Sequence, residues 1–473
     1  MERIKTDLCI IGAGAGGLSV AAGAAQMGAR VVLIERGEMG GDCLNTGCVP
    51  SKALIAAAKA AQAMRNGQGF GIAPMEPQVN FTKVKDHVTR VVETIAPIDS
   101  QQRFEGLGVR VLRHDAQFTG SRDVTAGPYR VFARRFVIAT GSRPFIPPIP
   151  GVEKIPYLTN ETIFALREKP EHLIILGGGP IGMEMAQAHC RLGCRVTVLE
   201  AAQVLGHDDP EMVAIVLDQL RAEGVEIIEG VRVTGLSGQE GAIRVALQDG
   251  QDIKGTHLLL AAGRKVALDG LGLDVARVDH TDRGVTVGAN LRSISNRRVY
   301  AVGDAAGRGQ FTHLAGHHAG VVIRQALLGL PARAQDHHIP RVTYTDPELA
   351  QVGMTEAEAR QAHGDAVQVI RLPFSDNDRA QTEGRTDGLI KLMVVKGRPT
   401  GVSIAGPGAG ELVGFWALAM AGRIKLSTIA GAIIPYPTMN EISKRAAGTY
   451  FSPRLFDNPW LSRFVGLVQR WLP

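Results

Sequence analysis

The sequence predicts an α/β fold built on two copies of one βαβ unit, and three observations carry that expectation. A short apolar strand ending at Ile10 and Ile11 runs into a glycine turn, an alanine-rich helix and a second strand, Val31 to Ile34, which ends in an acid. The same layout returns later, so that Gly12, Gly14, Gly17, Gly28 and Glu35 match Gly177, Gly179, Gly182, Gly193 and Glu200 at one constant spacing. Fifty-seven glycines exceed ordinary usage while the apolar share stays at 45%, which suits backbone turns better than disorder.

Each glycine in the unit has a physical job. The first makes the tight strand-to-helix turn, the second lets the backbone approach a pyrophosphate, and the third lets helix and strand pack closely. The pyrophosphate then rests on the helix N-terminus. The acid closing the second strand accepts hydrogen bonds from ribose hydroxyls, so Glu35 and Glu200 each mark an adenosine end. One such turn is an ordinary feature of α/β proteins. Two, each with its strand and its acid, predict two dinucleotide sites and electron transfer between two nucleotides, most simply NAD(P)H and FAD.

Composition narrows the class further. At 473 residues the chain exceeds one core, and about three domains are expected. The formal charge of +6 is spread along the chain, without the basic runs and interleaved aromatics that track a nucleic-acid backbone. Five cysteines do not make a disulfide scaffold, so a reducing cytoplasm is expected, where a cysteine pair is catalytic. Met1 to Lys5 before a small-residue stretch imitates a signal peptide, but the glycine pattern explains that stretch better. The longest apolar candidate, Leu412 to Gly422, is too short for a membrane span.

After the first unit comes Gly40-Gly41-Asp42-Cys43-Leu44-Asn45-Thr46-Gly47-Cys48-Val49-Pro50-Ser51-Lys52. Five extended residues span up to ~17 Å whereas bridged cysteines have Cα atoms within about 7 Å, so pairing requires the loop to fold back, which Asn45 and Gly47 permit. Val49 to Lys52 opens a helix with Pro50 in its first turn, placing Cys48 near a positive helix end and Lys52 about one turn on. Both favour a thiolate. Two buried small residues, or half of a metal site, are the alternatives for such a spacing; the chain has no second His/Cys cluster of ligand spacing.

These motifs, with Ala139-Thr140-Gly141-Ser142-Arg143-Pro144, Ala262-Gly263-Arg264, Tyr300-Ala301-Val302-Gly303-Asp304 and Tyr344-Thr345-Asp346-Pro347-Glu348, resemble the pyridine nucleotide-disulfide oxidoreductases, which include dihydrolipoamide dehydrogenase, glutathione reductase and mercuric reductase. The resemblance covers nearly the whole chain. It implies FAD on Gly12, Gly14, Gly17, Glu35, Gly41, Lys52, Ala116, Thr140, Gly141, Arg264, Asp304 and Ala315, and NAD(H) on Gly177, Gly179, Ile181, Gly182, Glu200 and Gly263. It implies a redox-active Cys43–Cys48 disulfide, with Cys48 beside the flavin and Cys43 the exposed exchange thiol. Lys52 and Glu184 would pair near the flavin. The implied architecture is two Rossmann-like domains plus a C-terminal α+β dimerisation domain. An FAD domain spans residues 1–155 and 265–338, a nucleotide domain 156–264, an interface domain 339–452 and a tail 453–473. A homodimer is implied, with Tyr436 and Glu441 completing the partner subunit's site. Glu200 suits a free 2′-hydroxyl, and no Arg or Lys between 201 and 209 would neutralise a 2′-phosphate, so NADH is expected over NADPH.

The chain also departs from that pattern. Disulfide-reducing members carry a His-Pro-Thr run, the His trading protons with the exchange thiol; here Tyr436-Pro437-Thr438 stands in its place. A phenol with reference pKa near ~10 is a poor base at neutral pH. Mercuric reductase has a Tyr there, but also a C-terminal cysteine pair and a cysteine-bearing N-terminal domain, whereas the last cysteine here is Cys194. The expected substrate is a metal ion, an electrophile or an unusual disulfide; the alternative is a dihydrolipoyl dehydrogenase serving a lipoyl carrier. Cys9, Cys190, Cys194 and His189 are read as packing residues. His313 is expected by backbone contact near the flavin edge, with no acid-base role. In the tail, Phe456, Trp460, Phe464, Leu467 and Trp471 fall at helical spacing beside Arg463 and Arg470. Such a helix either rests on an anionic membrane surface or packs within the dimer.

Overall fold

A computed structural model describes residues 1–472, which divide into two compact units. The first comprises residues 1–65, 74–201 and 228–336. In it, strand β1 (Glu2–Ile11), helix α1 (Ala15–Gln26) and strand β2 (Val31–Ile34) form the first βαβ unit. The cysteine loop folds into helices α2 (Gly41–Asn45) and α3 (Cys48–Arg65). Strands β3 (Arg110–Leu112) and β4 (Tyr129–Ile138) flank the unit, giving the parallel order β3-β2-β1-β4. Residues Leu8 to Ile11 and Phe136 to Ile138 are buried on both faces; such continuous apolar runs are how strands of a helix-covered parallel sheet read.

The second βαβ unit repeats this with strand β5 (His172–Leu176), helix α4 (Pro180–Arg191) and strand β6 (Arg195–Leu199). Strand β7 (His257–Leu260) pairs in parallel with β5, as β4 does with β1. The chain then returns to the first sheet, where strand β8 (Val299–Ala301) adds in parallel to β4 before helix α5 (Thr312–Ala326). Glycine sets the approach of α5 to α1: a Cβ on Gly16 would lie 3.3 Å from the Ala315 Cβ and one on Gly23 2.5 Å from the end of Ile323.

The second unit comprises residues 66–73, 202–227 and 337–472. Strands β9 (Arg341–Thr343), β10 (Glu348–Gly353), β11 (Gln368–Pro373), β12 (Leu389–Val395) and β13 (Arg398–Gly406) form an antiparallel sheet in the order β9-β10-β13-β12-β11. Helix α6 (Ala409–Ala421) covers it, and the buried Trp416 donates its indole N–H to Ser443 Oγ at 3.1 Å. One face of the apolar stretch from Leu412, with Leu412, Val413, Trp416 and Ala419, is therefore core, and among the described residues no helix is long and apolar enough to cross a membrane. Lys391, buried, meets Asp209, Glu211 and Glu356 at 2.8 Å each; three carboxylates compensate a charge that burial alone would disfavour. Helix α7 (Glu441–Thr449) follows. Two short helices, α8 (Ser452–Phe456) and α9 (Pro459–Trp471), end the chain.

Candidate active site

The first glycine turn adopts a backbone only glycine accepts readily. Gly12 has φ of +104°, and a Cβ there would lie 2.4 Å from the Ala139 carbonyl oxygen. A Cβ on Gly17 would lie 1.9 Å from the Gly12 carbonyl oxygen, an overlap with backbone that no side-chain motion relieves. Gly14 begins α1 without a side-chain cap, leaving first-turn amides facing outward as an anion cradle. Glu35, ending β2, accepts from Ala13 N at 2.6 Å and Gly37 N at 2.7 Å, so its carboxylate is fixed over the turn. Among the described residues the buried Thr140 hydroxyl has no hydrogen-bond partner. An uncapped helix start, an anchored acid and an orphaned hydroxyl fit the pyrophosphate, ribose and polar edge of an FAD.

The second turn has the same geometry. Gly177 has φ of +113°, a Cβ on Gly182 would lie 2.0 Å from the Gly177 carbonyl oxygen, and Glu200 accepts from Gly178 N at 2.7 Å. Here, however, a Cβ on Gly179 would meet nothing within 4 Å. Ile181 is partly exposed beside this opening. Gly263 (φ +117°) also lies clear of neighbours. The arrangement fits an adenine dinucleotide.

The cysteine loop folds back through local hydrogen bonds. Asn45 Nδ2 donates to the Met39 and Gly41 carbonyls at 3.0 and 2.8 Å, and Thr46 Oγ1 donates to Asp42 Oδ1 at 2.8 Å. The Cys43 and Cys48 sulfurs come within hydrogen-bond reach of each other. Sharing that hydrogen bond pushes Cys43 well above the ordinary thiol range, and burial adds to it. The same bond, helped by the Thr312 hydroxyl 3.7 Å from the Cys48 sulfur and by the Lys52 ammonium, lowers Cys48 to about 6 against burial and the Asp42 carboxylate. Cys48 lies at the N-terminal end of α3, a position that favours a thiolate. The order of exposure is the reverse of the expected one: in the polypeptide alone Cys48 is exposed and Cys43 half-buried, because Cys43 sits within the short helix α2 while Cys48 starts α3. Lys52 Nζ donates to the buried Glu184 at 2.8 Å, joining α3 to α4.

A hydrogen-bond network ties this loop to the segment after β8. Arg264 donates to Ser142 Oγ at 2.8 Å and meets Asp42 Oδ2 at 3.1 Å, while Ser142 Oγ donates to Asp304 at 2.5 Å. Burial raises the Asp304 carboxyl above the usual range. His318 is buried, accepts from Gly303 N at 3.2 Å and is lowered to about 4 by burial, so it stays neutral. Asp42 and Ser142 lie in separate sequence motifs and Thr312 and His318 in none, and only the fold assembles them.

Two family models match segments of the chain. Residues 6–319 match the pyridine nucleotide-disulphide oxidoreductase model, and residues 339–447 match the dimerisation domain of the same family. The chain belongs to the pyridine nucleotide-disulphide oxidoreductase family. A mercuric reductase of Streptomyces lividans is 34% identical over 94% of this chain and 96% of its own length. A dihydrolipoyl dehydrogenase of Bacillus subtilis is 32% identical over 94% and 96%. The HOCl-induced flavoprotein disulfide reductase RclA of Escherichia coli, 28% identical, superimposes with a TM-score of 0.84 over 93% of this chain and 99% of its own, and a related structure is a Cu(II) complex of RclA.

As a family member the chain is an FAD-dependent enzyme using a pyridine nucleotide, with a dimerisation domain in its C-terminal part. The remaining expected residues fall as follows. Ala116 opens the strand Ala116–Gly120, Gly141 has φ of +65°, and Gly41, φ +62°, packs against Gly14, where a Cβ would lie 2.7 Å from the Gly14 Cα. The His313 ring stacks on Phe311 at 5.3 Å. His189 is fully buried, bonds the Met185 carbonyl at 2.8 Å and is lowered to about 3 by burial; Cys194 is buried and Cys190 half-buried. In the second unit, the exposed Tyr436 donates its hydroxyl to Asp378 Oδ2 at 3.0 Å, and that carboxylate raises the phenol above its ordinary range. Glu441 begins α7, with Arg445 3.9 Å away.

Proposed function

We propose that this flavoprotein disulfide reductase passes electrons from NADH through the Cys43–Cys48 pair to a thiophilic metal ion, an electrophile or an unusual disulfide. The observation that carries this reading is Tyr436. A phenol that already donates to Asp378, and is raised by it, cannot take a proton from a thiol at neutral pH. Ordinary dithiol–disulfide exchange requires that proton to move. Binding of a soft cation by both sulfurs displaces the Cys43 proton to solvent as the metal–sulfur bond forms, so it needs no side-chain base of imidazole pKa.

Bound FAD supplies two-electron transfer between the nicotinamide and the disulfide. The chain's own part is to hold the ring and ready the sulfurs. Gly12, Gly14, Gly17, Glu35, Gly41, Thr140, Gly141, Arg264, Asp304, Ala116 and Ala315 hold the cofactor; Gly177, Gly179, Ile181, Gly182, Glu200 and Gly263 hold the nicotinamide nucleotide. Cys48 keeps the negative charge, Cys43 carries the proton and exchanges with substrate, and the Lys52–Glu184 pair fixes a positive charge beside the ring. Glu200 favours a free 2′-hydroxyl, hence NADH. The proposed division is an FAD domain of residues 1–155 and 265–338, a nucleotide domain of 156–264 and an interface domain of 339–452. A cytoplasmic homodimer, with Tyr436 and Glu441 serving the partner's site, accords with this.

Steady-state assays test the reading. NADH-driven reduction of Hg(II), Cu(II) or quinone-type electrophiles should exceed NAD⁺-dependent oxidation of dihydrolipoamide, and Tyr436→His should raise the latter. Dihydrolipoamide oxidation at ordinary dehydrogenase rates by the unaltered chain would overturn the preference. A kcat/KM for NADPH at or above that for NADH would overturn the assignment of Glu200.

A further inference from the structure

We propose that the C-terminal helix α9 seats the enzyme on an anionic lipid bilayer surface. The helix start is encoded locally: Asn458 Oδ1 accepts from Trp460 N at 3.0 Å, and Pro459 occupies the first position. At about 100° per residue, Trp460, Leu461, Phe464, Val465, Leu467, Val468 and Trp471 fall on one side. Ser462, Arg463, Gly466, Gln469 and Arg470 fall on the other. Within the chain only Leu461 and Val468 are half-buried. Trp460 (77%), Phe464 (60%), Leu467 (59%) and Trp471 (79%) stay exposed. A 13-residue helix is marginal in water even without such a face, so the face requires a cover.

Charge, length and side-chain type select a bilayer as that cover. From 452 onward Arg454, Arg463 and Arg470 oppose one acid, Asp457, and the Arg463 guanidinium sits 5.7 Å from the Trp460 ring, at the border between the faces. An arginine there reaches lipid phosphate while the ring enters the headgroup layer. Two tryptophans near the two ends match the same layer, since indole joins an apolar body to one N–H donor. Thirteen residues span about 20 Å, short of the roughly 30 Å hydrocarbon core, so the helix lies along the surface. A second copy is the poorer partner: an antiparallel two-fold contact through this face sets the edge that carries Arg463 and Arg470 against the same edge of the other helix. The helix also lies beyond the dimerisation match, which ends at 447.

The test uses full-length holoenzyme with vesicles of phosphatidylcholine, alone or mixed with phosphatidylglycerol. The protein should sediment with mixed vesicles at low salt and remain in the supernatant with phosphatidylcholine alone or at high salt. Tryptophan emission should move to shorter wavelength on binding, because Trp416 is already buried and only Trp460 and Trp471 can change. Replacing Trp460, Phe464 and Trp471 together by Ser should lower vesicle affinity roughly tenfold or more, and Arg463→Gln or Arg470→Gln roughly fivefold each. NADH-dependent turnover should be unchanged, which controls for folding. Unaltered protein that stays in the supernatant with mixed vesicles, or equal sedimentation of the triple variant, would overturn the proposal. So would conversion of the triple variant to monomer in light scattering, which would assign the face to the dimer.

Discussion

The two glycine turns are nearly superimposable in local geometry and differ in what lies over them. In both, the third glycine sits about one carbonyl width from the first, with a Cβ overlapping at 1.9 and 2.0 Å, and in both an acid accepts from the turn's own amides. Over the first turn the cysteine loop closes down: Gly40 N donates to the Ala13 carbonyl at 3.0 Å and Gly41 touches Gly14. Over the second, Gly179 faces open space. One turn is roofed by the redox loop and the other is open, as expected when one nucleotide is resident and the other exchanges each turnover.

The largest effect should come from the roof itself. Cys43→Ser or Cys48→Ser should cut NADH-driven substrate reduction by at least roughly 10³-fold while bound flavin absorbance persists; full turnover in either variant would mean the sulfurs are auxiliary. The comparison is sharpened next by a matched pair. Gly17→Ala should expel flavin and destabilise by about 3 kcal/mol or more, whereas Gly182→Ala should keep the flavin and lose nicotinamide-dependent reduction. Flavin loss from both would erase the distinction. Gly179→Ala, placed in open space, should leave Tm unchanged and raise the nicotinamide KM roughly tenfold; an unchanged KM would remove that turn from the nucleotide site.

The smallest effect is a pH shift. Because Cys48 is lowered to about 6, its alkylation in the reduced enzyme should rise through that pH and be nearly complete by neutrality, since the thiolate forms above the lowered value. Lys52→Met removes one cause of the lowering, so the midpoint should move upward; a midpoint unmoved would mean Lys52 acts only through Glu184.

The parts legible in the sequence share one property: they rest on residues close in the chain. The repeated glycines and their acids and the helix opening at Cys48 all belong to a local pattern or its repeat, whereas the Lys52–Glu184 pair, 132 residues apart, came only from the family resemblance. What escaped rests on distant single residues. Thr312 approaches Cys48 because α5 packs against α1 through Gly16 and Gly23, and Arg264 bridges Asp42 to Ser142 because the strand Arg264–Val266 pairs with Ser142–Pro144. Nothing in the run around Tyr436 announced Asp378, 58 residues away, as the partner of its hydroxyl. Lys391 likewise meets Asp209, Glu211 and Glu356 through sheet packing, without a shared motif.

Thiol counting during anaerobic reduction tests the central claim most directly. Holoenzyme given one equivalent of NADH, quenched with an alkylating reagent and mapped by mass spectrometry, should gain label on Cys43 and Cys48 together, with Cys9, Cys190 and Cys194 unchanged from the unreduced sample. Loss of the flavin's visible absorbance with Cys43 and Cys48 still bridged would contradict the account, because electrons would then reach the ring and stop there.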